Sequence, residues 1–260
     1  MIKLIATDMD GTLLNDNGNI NEKVFDLIRA LNEKDIKFAA ASGRFYSQLS
    51  KNFEKVNMKM IFIAHNGALV KYNNKGRTLY SNNIDKKEIE SVINLNPKMG
   101  EEIFLAAEND AYAVNPSENM LKQFTFSQVP VIIVKSFSEI KNPIYKITYY
   151  MDEGVNSSIV DYLKENLNDK LEFVVSGDKW IDIMNKGISK GNGIKILQEK
   201  FNIHEKNTMV FGDYYNDLTM FKAAHYSYAM ENAPEDVKKH ANFIAESNNE
   251  DGVYNVLACL

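Results

Sequence analysis

The first third of the chain alternates short apolar runs with stretches of helical spacing. The runs Ile2–Thr7, Lys37–Ala41 and Met60–Ala64 are typical of buried strands, and Glu22–Leu31 and Tyr46–Phe53 between them carry apolar residues at helical intervals. Strands that alternate with helices predict an α/β fold, a doubly wound parallel sheet. In such a sheet ligands bind beyond the carboxyl ends of the strands, so the polar residues after each apolar run are the first candidates for a site.

This alternation is interrupted and later resumes. After Gly67, two short apolar runs flank an Asn-Asn-Lys-Gly-Arg break, which predicts a hairpin. Candidate helices and strands then follow one another irregularly until the strand and helix alternation returns at Ser189. We therefore expect a discontinuous core domain, residues 1–82 and 187–260, interrupted by a separate α+β domain at residues 83–186.

The composition is that of a globular protein and argues against several classes. With 45% hydrophobic and 25% charged residues, a chain of 260 residues can bury a substantial core. Its 30 basic and 35 acidic residues give a net charge of -5 without a polybasic block, so we expect no nucleic acid and no membrane as partner. Cys259 is the single cysteine, which excludes an intrachain disulfide and a cysteine metal cluster. The absence of a signal-like start predicts a cytoplasmic protein.

The first apolar run leads into two acidic residues, Asp8 and Asp10. Side chains at positions i and i+2 of an extended segment point to the same side, so both carboxylates are expected to face one crevice. Two anions this close repel each other unless a cation or a proton is shared between them. The alternative is that Asp10-Gly11-Thr12 is only a turn with a locally capping Asp, but a turn leaves Asp8 unexplained.

Two further segments contain the residue types of an anion site. In Ala41–Arg44, the Ser42 hydroxyl and the backbone N–H of Gly43 precede a predicted helix, where phosphate groups bind. Ser42 is equally compatible with a plain N-cap. Lys190 opens a later helix beside Gly191, at the second junction between the insert and the core. It is either a solvated surface residue or a cation that offsets the charge of a bound anion.

A second acidic cluster follows another apolar run, in the segment Phe211–Asp217. Asp213 and Asp217 flank Asn216 there, at a predicted strand end. Oxygen ligands without His or Cys suit Mg²⁺, which typically takes one or two carboxylates and keeps several waters. A cation shared by Asp8 and Asp213 would neutralise the first acidic pair, so the sequence predicts a magnesium site.

Four segments, in this order and spacing, resemble the motifs of the haloacid dehalogenase (HAD) superfamily: DMDGTLL, ASGR, SKG and GDYYND. The long insert, with IAHNGALV before it and ENAPEDVKKHANFIAESNNEDGV near the end of the chain, resembles the Cof-type branch of sugar-phosphate phosphatases. The resemblance covers essentially the whole core, whereas the insert matches by position and length. It implies a HAD-like Rossmannoid core with an inserted α+β cap domain.

The resemblance also implies roles for individual residues. Asp8 is the expected nucleophile, which forms an aspartyl-phosphate. Asp10 is expected to protonate the leaving oxygen and later to activate water as a base. Mg²⁺ is expected to be held by Asp8, the backbone carbonyl of Asp10 and Asp213, with Asn216 and Asp217 in support.

The remaining motif residues are expected to bind the phosphoryl oxygens. Ser42, Gly43 and Lys190 form this set, and Arg44 assists it. Dehalogenases and transport ATPases of the superfamily lack an acid at the position of Asp10, so the resemblance favours a phosphatase or a mutase.

Two residues depart from the pattern of the relatives. Glu231 replaces a glycine in a loop expected near the site, where it either disfavours a highly charged substrate or faces solvent. Tyr214 is bulkier than the residue common at its position, which puts the geometry of its loop in question.

We therefore expect a Mg²⁺-dependent phosphatase that acts on small phosphomonoesters, such as sugar phosphates, as a monomer or a weak homo-oligomer. Two alternatives stay open: a phosphomutase of the same superfamily, and a non-catalytic regulator that binds a phosphorylated ligand. The regulator is disfavoured because a binding protein needs no nucleophile paired with an acid.

Overall fold

The computed structural model describes residues 1–99 and 101–260, with the side chains of residues 97–99 left out. This part of the chain divides into two compact units. The first comprises Met1–Arg44, Leu49–Ser81 and Ile188–Leu260. The second comprises Phe45–Gln48 and Asn82–Gly187. Within the described ranges, no helix combines the length and the apolar composition needed to cross a bilayer.

The described elements are numbered here in chain order. The strands are β1 (Leu4–Thr7), β2 (Lys37–Ala41), β3 (Ile61–Ala64), β4 (Leu69–Tyr72), β5 (Thr78–Ser81), β6 (Glu102–Ala106), β7 (Ala111–Ala113), β8 (Val131–Ile133), β9 (Lys146–Tyr150), β10 (Leu171–Gly177), β11 (Trp180–Asn185), β12 (Thr208–Gly212), β13 (Tyr226–Met230) and β14 (Phe243–Ala245). The helices are α1 (Lys23–Glu33), α2 (Tyr46–Asn52), α3 (Lys86–Met99), α4 (Glu118–Ser127), α5 (Ser157–Asn166), α6 (Lys190–Phe201), α7 (Leu218–Phe221), α8 (Glu235–Lys238) and α9 (Gly252–Leu257).

The first unit contains an eight-stranded sheet in the order β14-β13-β12-β1-β2-β3-β4-β5. The strands from β14 to β3 are parallel, and β4 and β5 add the predicted hairpin as two antiparallel strands at one edge. Every residue of β1 and β12 is buried, as expected for central parallel strands covered on both faces. The predicted doubly wound α/β fold is confirmed.

The strand order places the polar segments of the sequence at one edge of this sheet. β1 pairs with β2 on one side and with β12 on the other, so the order reverses at β1. Asp8 follows β1, Ser42 follows β2 and Asp213 follows β12. Because these neighbouring strands are parallel, their carboxyl ends lie side by side at the position where doubly wound sheets bind ligands.

The second unit contains a six-stranded sheet in the order β10-β11-β9-β6-β7-β8. Its pairs are antiparallel except for β7 with β8. An apolar cluster joins Val92 of α3 and Leu163 of α5 to strand residues such as Ile147, and a second cluster joins Phe124 of α4 to Phe104. The unit is therefore an α+β layer structure with helices packed against its sheet.

Several element bounds differ from those predicted. The first strand begins at Leu4 rather than Ile2, and the third at Ile61 rather than Met60. The sequence pattern did not predict α4, α8, α9, β8 or β14. The two missed strands have three residues each, too short to show a period.

The first turn of α6 packs closely against α7. Ser189 caps α6 by accepting a hydrogen bond from the N–H of Asn192, so Lys190 is the first helical residue. The N–H of Gly191 donates to Thr219 Oγ1 at 3.1 Å, and a Cβ on Gly191 would overlap the backbone carbonyl of Thr219. The absence of a side chain at position 191 therefore allows this close approach.

We expect Gly191→Ala to destabilise the protein by about 1–3 kcal/mol, the usual cost of overpacking, although alanine is the better helix former. Urea unfolding measures the change. The control is Gly193→Ala in the same helix, where the new Cβ would meet the Ile63 side chain at 2.6 Å rather than a backbone carbonyl. We expect a smaller loss of stability in Gly193→Ala. A gain in stability from Gly191→Ala would contradict the close packing.

Candidate functional site

Asp8 lies at the centre of the candidate site, directly after β1. It is buried, and its Oδ1 accepts a hydrogen bond from the Nζ of Lys190 at 2.5 Å. The same Nζ donates to Asp217 Oδ1 at 2.7 Å. Lys190 is 1% exposed, so it is not a solvated surface residue. One buried ammonium therefore joins the segment after β1 to the segment after β12.

Asp217 is held from both ends of its carboxylate. While Oδ1 binds Lys190, Oδ2 accepts the backbone N–H groups of Asp213 at 2.9 Å and Tyr214 at 3.1 Å. The side chain is fully buried. Asp217 thus fixes both the turn that carries Asp213 and the ammonium of Lys190.

Asp213 is packed against the turn that follows Asp8. Its Oδ1 accepts a hydrogen bond from the Thr12 hydroxyl at 2.7 Å. Gly11 has a positive φ of 74°, and a Cβ there would overlap the Asp213 carboxylate. A glycine is therefore required at position 11 by both its backbone conformation and the neighbouring carboxylate.

The burial of these groups shifts their protonation equilibria. Burial raises the pKa of Asp8 well above its ordinary value, the charges of Asp217 and Asp213 raise it further, and Lys190 opposes the shift. Burial also raises the pKa of Asp213 to about 6, although the hydrogen bond from Thr12 acts to lower it. For Lys190, burial lowers the pKa, but the charges of Asp217 and Asp8 outweigh it, so the net shift is upward.

Asp10 has a different environment from Asp8. β1 ends at Thr7, so the alternation rule for extended segments does not extend to Asp10. The side chain of Asp10 is 63% exposed and forms a bidentate ion pair with Arg44. Arg44 Nε lies 2.9 Å from Asp10 Oδ2, and Arg44 Nη2 lies 2.5 Å from Asp10 Oδ1. Each of the two carboxylates therefore has its own basic partner, Lys190 for Asp8 and Arg44 for Asp10.

The segment after β2 provides hydrogen-bond donors beside this ion pair. The buried Ser42 hydroxyl accepts the backbone N–H of Arg44 at 3.2 Å, which leaves its own hydrogen to donate. Ser42 is not the N-cap of α2, which begins at Tyr46. The N–H of Gly43 has no protein acceptor in the part of the chain that the structure describes.

Three other residues from the sequence patterns lie outside this buried cluster. Asn216 is exposed in a 3-10 turn over Tyr215–Asp217, and its predicted support of a metal stays a prediction. Glu231 is exposed directly after β13. Tyr214 is 54% exposed, with its ring edge-to-face against Tyr215 at 4.9 Å between centroids, so its bulk does not enter the cluster.

The acidic residues of the cluster are suited to a hard cation. One oxygen from each of Asp8, Asp213 and Asp217 lies within 4.8 Å of the others. When all three are ionised, Lys190 balances only one of the three charges, which leaves two negative charges in a largely buried place. Oxygen donors with this excess charge fit a divalent cation such as Mg²⁺. Asp217 already accepts three hydrogen bonds, so Asp8 and Asp213 have more acceptor capacity left for a ligand.

Sequence reasoning missed the partners of the predicted residues. Thr12 was not identified as a partner of Asp213, nor Arg44 as the partner of Asp10, although both residues stand within the quoted motifs. Their residue types offered a signal: a hydroxyl and a guanidinium beside acidic motifs are natural donors to carboxylates.

Comparisons with known proteins agree with this geometry. Residues 5–257 match the model of a family described as haloacid dehalogenase-like hydrolases. The chain is 30% identical, over 259 residues, to the 5-amino-6-(5-phospho-D-ribitylamino)uracil phosphatase YbjI of Escherichia coli, and the match covers 98% of this chain and 95% of the relative.

Solved structures resemble the chain over its whole length, and two of them serve as examples. The crystal structure of SMU.1108c from Streptococcus mutans superposes with a TM-score of 0.87 at 34% identity and covers 100% of this chain and 98% of that one. The sugar phosphatase BT4131, of HAD subclass IIB, superposes with a TM-score of 0.80 at 25% identity and covers 99% of this chain and 98% of that one.

The shifted pKa of Asp213 predicts that metal-free protein loses stability as the pH rises through about 6. With a folded pKa of about 6 and an ordinary value of 3.8, Asp213 holds a proton in the folded state that the unfolded state has already released. This contribution to the free energy of unfolding is complete below the unfolded pKa and is lost as the pH rises through the folded pKa.

Urea unfolding in the presence of EDTA, from about pH 4 to about pH 8, measures this dependence. In Asp213→Asn the group no longer titrates, so we expect a shallower decline, with the remaining slope due to Asp8 and other groups. Equal slopes in the two proteins would exclude Asp213 as the source.

Proposed function

Since the chain belongs to the haloacid dehalogenase-like hydrolases and is a phosphatase of that family, we propose that it hydrolyses small phosphomonoesters, such as sugar phosphates, through a phosphorylated Asp8. The family and the enzyme class predicted from the sequence are thereby confirmed. The observation that carries the mechanism is the buried Asp8 carboxylate bound to Lys190, with a second carboxylate, Asp10, two residues further along the chain.

The names of the relatives support a small phosphorylated substrate. The relative from Escherichia coli is named for a phosphorylated ribitylamino compound, and the structural neighbour BT4131 is named a sugar phosphatase. In this proposal the larger segment of the second unit, Asn82–Gly187, is a cap that excludes water and selects the leaving group.

The first step transfers the phosphoryl group to the protein. An oxygen of Asp8 attacks phosphorus, a bond between Asp8 and phosphorus forms, and the bond to the leaving oxygen breaks. Asp10 gives its proton to the leaving oxygen, which departs as an alcohol. Before substrate binds, Asp10 is an ionised carboxylate paired with Arg44, so in this proposal it takes up its proton from solvent when the substrate displaces Arg44.

The second step releases inorganic phosphate and restores the protein. Asp10 takes a proton from a water molecule, whose oxygen attacks phosphorus, and the bond between phosphorus and Asp8 breaks. Asp10 thereby regains the proton that it gave up in the first step. It releases this proton to solvent when the ion pair with Arg44 forms again, so the cycle closes. During both steps Lys190, the Ser42 hydroxyl and the N–H of Gly43 donate to the phosphoryl oxygens and stabilise their charge.

Mg²⁺, held by Asp8, Asp213 and the backbone carbonyl of Asp10, would neutralise charge on the phosphoryl group and the carboxylates. The residues fit this role because of their oxygen donors and their excess negative charge.

Release of inorganic phosphate from a panel of phosphomonoesters, with Mg²⁺ present, tests the proposed function. Turnover without a bisphosphate activator distinguishes a phosphatase from a phosphomutase. No turnover on the whole panel would favour a non-catalytic binding protein.

We expect Asp8→Asn to abolish phosphate release, because the amide is nearly isosteric but cannot form the covalent intermediate. Circular dichroism and urea unfolding should show that the variant stays folded. The matched control is Asp26→Asn, an exposed carboxylate on α1, which should leave turnover unchanged. Activity near wild type, in Asp8→Asn free of deamidated protein, would exclude Asp8 as the nucleophile.

The two tasks of Asp10 can be separated by the choice of leaving group. With an alkyl phosphate, Asp10→Asn should slow turnover by about 10²–10⁴-fold, the usual effect of losing general acid–base catalysis. With 4-nitrophenyl phosphate the leaving group needs little protonation, so phosphorylation of Asp8 should survive better than hydrolysis of the intermediate. We therefore expect a burst of nitrophenolate comparable to the enzyme concentration, followed by a slow steady state. Equal slowing of both substrates without a burst would contradict proton transfer by Asp10.

A further inference from the structure

Two asparagines near the end of the chain bind the turn that carries Asp10. Asn232 follows β13, and its Nδ2 donates to the backbone carbonyl of Gly11 at 2.8 Å. Its Oδ1 accepts the backbone N–H of Asn248 at 3.1 Å. Asn232 is therefore a bridge between the Gly11 carbonyl and the segment after β14.

Asn248 continues the bridge to the far end of the same turn. It is 5% exposed, and its Nδ2 donates to the backbone carbonyl of Leu14 and to Asp16 Oδ1, both at 3.0 Å. A buried amide is costly unless it is hydrogen-bonded, and both hydrogens of this one have acceptors. The turn is thus held at Gly11 and at Leu14.

The chemistry of the bridge requires an amide at position 232. A backbone carbonyl can only accept a hydrogen bond and a backbone N–H can only donate one, so the orientation of the Asn232 amide is fixed by its two partners. An aspartate would keep the acceptor for Asn248 but lose the donor to Gly11. An alanine would lose both.

The position of this turn matters because it contacts the catalytic groups directly. Asp10 is its first residue, Gly11 lies against the Asp213 carboxylate and the Thr12 hydroxyl donates to Asp213. A carbonyl released at Gly11 would allow the Gly11–Thr12 peptide, one residue after Asp10, to move. A misplacement of about 1 Å in a catalytic group can cost as much as about 100-fold in rate.

We propose that Asn232 and Asn248 are positioning residues that hold the Asp10–Leu14 turn where Asp10 can transfer a proton. The inference rests on the proposed function, in which Asp10 is the acid and the base. Neither asparagine touches the reacting atoms, and both act through the backbone carbonyls of Gly11 and Leu14.

The test compares the two phases of 4-nitrophenyl phosphate turnover in Asn232→Asp and Asn232→Ala. Asn232 is exposed, so both variants are expected to fold, which urea unfolding verifies. The burst requires little help from Asp10, whereas the steady state requires Asp10 as a base. We expect the burst rate to stay within about 2-fold of wild type. The steady-state rate should fall about 10-fold, which corresponds to the loss of one typical hydrogen bond.

The two substitutions together separate geometry from charge. Asn232→Asp adds a negative charge near the turn and Asn232→Ala does not. If both variants slow the steady state more than the burst, the effect is due to the lost hydrogen bond to the Gly11 carbonyl. The control is Asn242→Ala, elsewhere in the first unit. It removes the hydrogen bond of 2.7 Å that Asn242 Nδ2 donates to the backbone carbonyl of His225. Both phases should be unchanged in that variant.

Asp10→Asn in the same assay distinguishes failure of the inference from failure of the proposed function. If Asp10→Asn does not slow the steady state more than the burst, the proton-transfer role of Asp10 is wrong. If Asp10→Asn slows the steady state more than the burst and the Asn232 variants do not, the positioning role is wrong. Equal slowing of both phases in the Asn232 variants would also overturn it, since a general loosening of the site affects both.

Discussion

The rest of the site depends on the buried ammonium of Lys190. It lies 2.5 Å from Asp8 and 2.7 Å from Asp217, and all three side chains are almost completely buried. Removing one partner from a buried ion pair typically costs about 3–5 kcal/mol, because a desolvated charge is left unpaired. The end of β1, the turn after β12 and the start of α6 are therefore joined at a single point. Each of these segments carries one of the sequence motifs.

Local interactions determine where that ammonium lies. Ser189 caps α6 and makes Lys190 its first residue, while Gly191 allows α7 to approach the same turn. Asp217 is oriented separately, because its second oxygen accepts two backbone N–H groups. The cap and the glycine thus place the helix, the helix places the ammonium, and the ammonium places the Asp8 carboxylate.

The sequence predicted the core strands well because buried parallel strands are continuous apolar runs, and Lys37–Ala41 was predicted with its observed bounds. It missed α4 in part because Phe124, Thr125 and Phe126 are residue types that favour strands. At the site, the acidic motif residues were identified but their partners were not. Thr12 and Asp213 are 201 positions apart and Asp10 and Arg44 are 34 apart, so these contacts depend on tertiary structure that no local period encodes.

Charge balance explains why two aspartates two positions apart can differ in function. The exposed Asp10 forms a neutral pair with Arg44, whereas Asp8 shares one ammonium with Asp217 beside a third carboxylate, Asp213. Burial, together with the charge of the neighbouring carboxylates, raises the pKa of Asp8 and Asp213. A proton or a divalent cation relieves the excess negative charge around Asp8. A phosphoryl group brings further negative charge to the same place. In the proposed reaction, a cation held by Asp8 and Asp213 would balance this added charge together with that of the carboxylates.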